Sequence, residues 1–186
     1  IEKNQIHHRQ IHSTLFSARV EFYTIADLTD RYMIFGRKLS KGRRWVSFGL
    51  SICESDLEDN LQQKIDSKVT SKVTSNDLSC CNGKHCYANL KQGEIINKTT
   101  FLGLFSDDDG QSALCVLNLT SMNPSVCQGR GHQKSIISQS LYTTSNVSQF
   151  AITSVSSGTV IALITDRGVQ KLSLADDQIL ENYELK

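Results

Sequence analysis

The chain has 186 residues, 39% of them hydrophobic and 21% charged, which is enough for one ordinary domain with a sizeable core. Twenty basic against 19 acidic side chains leave a formal net charge of +1, which excludes a broad electrostatic case for nucleic acid or an anionic membrane as the main partner. No apolar run of about 18 residues is present to span a bilayer, and the start at Ile1, with no charged-then-apolar leader, reads as a processed chain or a fragment.

In chain order, residues 1–17 are polar, hold His7, His8 and His12, and read as a flexible, solvated N-terminal segment. Tyr32 to Lys38 and Arg43 to Cys53 follow as two half-exposed strands joined by Leu39-Ser40-Lys41-Gly42. Arg37, Lys38, Lys41, Arg43 and Arg44 form a basic run that reads as a solvated, edge-protecting stripe. Contact with an acidic partner or a sulfated glycan is the functional alternative for that run.

Ser55-Asp56-Leu57-Glu58 has capping-box spacing, and Leu57, Leu61 and Ile65 share a helical face, so a short helix is expected near 55–66. The tandem Ser67-Lys68-Val69-Thr70 and Ser71-Lys72-Val73-Thr74 reads as a loop expansion. Thr99 to Ser106 and Ser112 to Thr120 flank Asp107-Asp108-Asp109-Gly110, a hairpin turn. Those aspartates lack the alternating spacing and closing glutamate of a calcium loop. Thr159 to Thr165 and Val169 to Leu174 form another hairpin around Asp166-Arg167-Gly168, and 175–186 reads as a C-terminal tail. Short antiparallel units separated by polar stretches make an all-β pattern, as in sandwiches, barrels and propeller blades.

Cys53, Cys80, Cys81, Cys86, Cys115 and Cys127 are even in number, compatible with three disulfides whose pairing spacing does not fix. Asn97-Lys98-Thr99, Asn118-Leu119-Thr120 and Asn146-Val147-Ser148 are N-glycosylation acceptors, while Asn123 is excluded by Pro124. Together they favour an oxidising, secretory environment. The competing reading is an intracellular β-rich domain with a zinc site at Cys80, Cys81, His85 and Cys86. That spacing is not the pair-plus-pair of a zinc ribbon. His132 completes the histidines, and no nucleophile elbow or phosphate loop accompanies them. A non-enzymatic protein without cofactor or metal is expected.

Tyr32-Met33-Ile34-Phe35, Trp45-Val46-Ser47 and Ile52-Cys53-Glu54-Ser55-Asp56 as one block, with Leu78-Ser79-Cys80 after it, resemble the sema domain of plexins and Met-type receptors. Phe101 to Ser106, Ser112-Ala113-Leu114-Cys115-Val116, Ser125 to Gly129, and the segments Ile152 to Val155, Thr159 to Ile161 and Asp166 to Leu172 continue the resemblance. It departs at Ser51, where the family has arginine, and at Ile164-Thr165, where it has Gly-Thr.

The resemblance implies a seven-bladed β-propeller of which residues 18–174 supply about three C-terminal blades. It implies a Cys80–Cys115 bridge and leaves Cys53 to pair with Cys127. Cys81 with Cys86 is the remaining pair, or both are free. It also implies an extracellular, ligand-binding module of a plexin-like cell-surface receptor. A semaphorin or growth-factor-type protein would be the ligand, homodimerisation is a further expectation, and the parent protein is expected to be membrane-anchored. Ser112 to Val116 and the short path to Cys127 lean towards plexin.

Overall fold

The computed structural model describes residues 19–28, 31–40, 44–53, 74–120, 135–155, 158–175 and 178–185, which form thirteen strands and no helix. The first four long strands are β1 (Val20–Asp27), β2 (Arg31–Leu39), β3 (Trp45–Cys53) and β4 (Thr74–Asn82), an antiparallel meander. A short β5 (His85–Tyr87) folds back on β4. A second meander comprises β6 (Asn89–Asn97), β7 (Thr100–Ser106), β8 (Gln111–Asn118) and β9 (Ile136–Ser145). The third comprises β10 (Val147–Val155), β11 (Gly158–Thr165), β12 (Gly168–Ala175) and β13 (Gln178–Leu185).

Each four-stranded meander is a blade. The third is a sheet of its own, whereas β4 and β9 pair in parallel from Leu78↔Ile136 to Cys81↔Gln139 and join the first two blades into one curled nine-stranded sheet.

The middle blade explains the stacking. Every residue of β7 is buried, which a strand with one wet face would not allow. Because side chains alternate across a strand, the run divides between two cores. Phe101 and Phe105 join Ala113, Cys115 and Leu117 of β8 against Met33, Phe35, Leu78 and Cys80 of the first blade. Leu102, Leu104 and Leu114 point the other way, against Phe150, Ile161, Leu163, Leu172 and Leu174 of the third. Full burial of each such Leu or Phe contributes roughly 1.5–3 kcal/mol. A sheet packed on both faces by neighbouring sheets is the repeating condition of a propeller. The chain is therefore an all-β, partial β-propeller.

Phase along β6 is set by a bulge. Leu90 pairs with Phe105 and Gln92 with Leu104, so Lys91 is the extra residue. Leu90 faces the first core, and after the bulge Gln92 lies on the side of the third blade. Gly93 and Gly103 pair beneath the phenylalanines. A Cβ on Gly103 would lie 2.6 Å from Phe105 Cε2 and 2.9 Å from Phe101 Cε1, so only glycine leaves room for both rings. Phe35 stacks on Phe101 with ring centroids 4.1 Å apart.

The hairpins expected around Leu39 to Gly42, around Asp107 to Gly110 and around Asp166 to Gly168 are present as β2–β3, β7–β8 and β11–β12. In the last, Gly168 pairs with Thr165 at φ 141° and the turn is Asp166-Arg167. The segment 175–186, read as a tail, is corrected: Gln178–Leu185 is β13, whose backbone ladder runs from Val169↔Leu185 to Ala175↔Gln178. Its acid-rich sequence, Gln-Ile-Leu-Glu-Asn-Tyr-Glu-Leu, hides a strand held by pairing. The helix expected near 55–66, the tandem repeat and residues 1–17 lie outside the described residues, apart from Thr74, which opens β4.

Candidate functional site

The cysteines of β4 are vicinal, and a strand sends neighbours to opposite faces. Cys80 enters the core between the first two blades and is joined to Cys115 of β8, with Cα atoms 5.8 Å apart and both residues fully buried. Cys81 takes the other face and is joined to its register partner Cys86 across the β4–β5 hairpin, Cα atoms 4.1 Å apart. Gly83 turns that hairpin at φ 62°, where glycine carries no steric cost. One bridge ties blade to blade, and the other closes a hairpin. Cys127 and the side chain of Cys53 lie outside the described residues.

The hairpin bond presents His85 to the β7–β8 turn, where its Nε2 donates to Asp107 Oδ2 at 2.8 Å. Asp107 Oδ1 accepts from the backbone N–H of Asp109 at 3.0 Å and of Gln111 at 2.8 Å. Burial alone would push the Asp107 carboxyl up, but the His85 hydrogen bond and those two N–H groups together hold it below the usual carboxylate value. The same rim continues into the third blade. Asn146, between β9 and β10, donates its N–H to Gly110 O at 3.0 Å and its Nδ2–H to Asp166 Oδ2 at 2.9 Å. Turns of all three blades are thereby laced together at one end. Asp107 is thus a turn organiser, and Asp108 and Asp109 are exposed at the tip.

At the opposite end lie the other two acceptor asparagines. Asn97 closes β6 and Asn118 closes β8, and both are paired with Thr100. Asn97 Oδ1 accepts from Thr99 N at 2.9 Å and Thr99 Oγ1 at 3.1 Å. Asn118 Oδ1 accepts from Thr120 N at 3.0 Å and Thr120 Oγ1 at 2.7 Å. Leu119, between Asn118 and Thr120, is fully buried and donates its N–H to Thr99 O at 2.7 Å. Its carbonyl accepts from Nη2 of the buried Arg31 at 3.3 Å.

The basic stripe is corrected at Arg37. On β2 it shares the inward phase of Met33 and Phe35, and its side chain is only 16% exposed. Its Nε and Nη2 donate to Glu21 Oε2 at 2.8 and 2.5 Å, its Nη1 donates to Asn89 Oδ1 at 3.0 Å, and its guanidinium lies 4.4 Å from the Trp45 ring centroid. It clamps β1, β3 and β6 to β2. Arg44 is exposed and Lys38 half-buried, while Lys41 and Arg43 lie outside the described residues. Beside the clamp, Tyr23 donates to Glu21 Oε2 at 3.4 Å. Burial, with Glu21 adding and Arg37 opposing, pushes its phenol up to about 12.

Two interblade contacts carry no sequence signal that motif reading could catch. Ser47 Oγ accepts from Leu90 N at 2.6 Å and donates to Ala88 O at 2.5 Å, stitching β3 to the start of β6. Gln92 does the same between β6 and β10. The rival zinc cluster is spent: Cys80, Cys81 and Cys86 are in disulfides, and His85 holds Asp107. No cluster of three or more metal-ligating side chains occurs among the described residues. His7, His8, His12 and His132 lie outside them.

Blades stacked face to face, with an interblade disulfide among the described residues, define the fold as a partial β-propeller. Among solved structures it is similar to the Drosophila Semaphorin 1a extracellular domains 1-2, with a TM-score of 0.59 at 13% sequence identity. The match covers 91% of this chain and 50% of that one, so the chain spans about half of the semaphorin structure. No family model and no curated protein matches the sequence.

Proposed function

We propose that this chain is a non-enzymatic, extracellular protein-binding module of semaphorin type, belonging to a plexin-like receptor at the cell surface. The observation that carries the reading is the middle blade, buried on both faces and bonded to its neighbour through Cys80–Cys115, in a fold similar to a semaphorin ectodomain. A buried interblade disulfide favours an oxidising compartment. Rigid sheets with turns laced at one rim offer what protein recognition needs: a preformed surface that loses little entropy on binding. The partner is a protein of semaphorin or growth-factor type, or a second copy of this chain. Nucleic acid is disfavoured by the net charge of +1.

The test is secretion followed by binding. The chain, expressed with a secretory leader, is mapped as non-reduced peptides and then passed over immobilised semaphorin and plexin ectodomains. Linked Cys80–Cys115 peptides and saturable binding to at least one ectodomain are expected. Secreted, disulfide-bonded protein that binds none of them would overturn the receptor reading, and free thiols throughout would overturn the compartment.

A further inference from the structure

Resting on that extracellular reading, we propose that Asn97 and Asn118 carry N-linked glycans side by side on one rim of the middle blade, whereas the third acceptor, Asn146, is structural and stays unmodified. The three acceptor motifs fall into two environments, and the hydrogen bonds separate them.

At Asn97 and Asn118 the side chain folds onto its own turn. Each Oδ1 accepts from both the N–H and the hydroxyl of the threonine two residues on. The carbonyl end of the amide is engaged by the acceptor motif itself, which directs Nδ2 away from the turn. Both asparagines and both threonines are exposed, and the buried Leu119 anchors the second loop from beneath. The loops are one unit, because Leu119 N–H donates to Thr99 O. Asn97 and Asn118 flank Thr100 on either side, which sets them about 10 Å apart at the ordinary interstrand spacing.

Asn146 is built the other way. It sits at φ 56°, its Nδ2–H is held by Asp166, and its N–H is held by Gly110. Its partner hydroxyl, Ser148 Oγ, donates to Ile164 O at 3.1 Å and does not turn back to Asn146. Asn146 is exposed like the other two, and what distinguishes it is that its amide nitrogen is already tied to Asp166 across the junction of the second and third blades.

The modification joins Nδ2 to the anomeric carbon of an oligosaccharide carried on a polyisoprenyl pyrophosphate. The N–C bond forms, the C–O bond to phosphate breaks, the lipid pyrophosphate leaves with the electron pair, and the amide gives up one proton. Nothing is oxidised or reduced.

Secreted protein from a eukaryotic cell line tests this. Glycans are released by an amidase in heavy-oxygen water, so that each occupied asparagine becomes a labelled aspartate, and peptides are weighed. Label at positions 97 and 118 with unmodified Asn146 is expected. Thr99→Ala and Thr120→Ala should each remove one glycan's mass, and Ser148→Ala none. Label at 146 matching the other two, or label missing at either 97 or 118 in secreted and disulfide-bonded protein, overturns the assignment while leaving the extracellular reading standing. Reduced cysteines in protein retained in the cytosol would remove both.

Discussion

Gln92 holds the backbone of Phe150 as a neighbouring strand would. Its Nε2 donates to Phe150 O at 2.8 Å and its Oε1 accepts from Phe150 N at 2.9 Å, so one side-chain amide replaces a peptide unit between β6 and β10. The third blade is a separate sheet, and this pair satisfies two backbone groups at its edge strand. The Lys91 bulge makes it geometrically available. Were Lys91 paired in regular register, Gln92 would share the face of Leu90 and point into the first core.

Gln92→Ala should therefore loosen the third blade first. Leaving both partly buried groups of Phe150 unpaired costs about 1–3 kcal/mol. A lower urea midpoint is expected, with faster amide hydrogen exchange in β10–β12 and unchanged protection in β7 and β8. Uniform loss of protection across all three blades would assign the pair to global stability and not to the blade junction.

Gly103→Ala should destabilise, against the usual direction for glycine in a strand. Replacing glycine at an unstrained φ normally stabilises by restricting the unfolded chain. Here the new methyl would meet two phenylalanine rings inside 3.0 Å. Overpacking of this kind costs typically about 1–3 kcal/mol. Gly49→Ala is the control, since its Cβ would come no closer than 3.4 Å to Phe35, an ordinary contact. Urea unfolding of the two variants should move in opposite directions, or with Gly49→Ala unmoved.

How far the sequence discloses this molecule follows from what each strand touches. β7 and β8 are legible because both faces are buried, which forces an unbroken apolar run ended by an Asp-Gly turn. β6 is not, because Asn-Leu-Lys-Gln-Gly-Glu-Ile-Ile is polar and two register shifts break its alternation. β4 and β9 are rich in Ser and Thr and are joined by a parallel ladder that no local pattern encodes. Arg37 looks like its basic neighbours until strand phase places it beside Met33 and Phe35. The three acceptor motifs are equivalent as text, and only the hydrogen bonds of Asn146 to Gly110 and Asp166 set one apart.

The two described disulfides should differ in strength and in access. Cys80 and Cys115 are 35 residues apart, a loop worth about 4 kcal/mol in the chain-entropy model, while Cys81 and Cys86 close a loop of separation 5, worth about 2 kcal/mol. Cys86 is exposed, whereas Cys80 and Cys115 are wholly buried. A mild thiol reductant should open Cys81–Cys86 first, visible as alkylation of those two sulfurs with the fold intact. Alkylation of Cys115 before Cys86 would contradict the burial. Replacing Cys80 and Cys115 together with alanine should lower the midpoint more than the same change at Cys81 and Cys86.

Alkaline pH should unfold the first blade's clamp through Tyr23. In the unfolded chain a phenol ionises near 10; in the native protein that of Tyr23 is raised to about 12, with burial the main cause and the Glu21 carboxylate adding to it. The native state therefore keeps its proton where the unfolded state has lost one, so stability falls as pH rises between those two values. Below about 10 the contribution is complete and flat. Tyrosinate absorbance should include a late phase near 12, and Tyr23→Phe should abolish it. The same variant should flatten the fall in urea midpoint across the window. A late phase that survives Tyr23→Phe would mean that another tyrosine is the protected one, and that burial does not hold the Tyr23 phenol up.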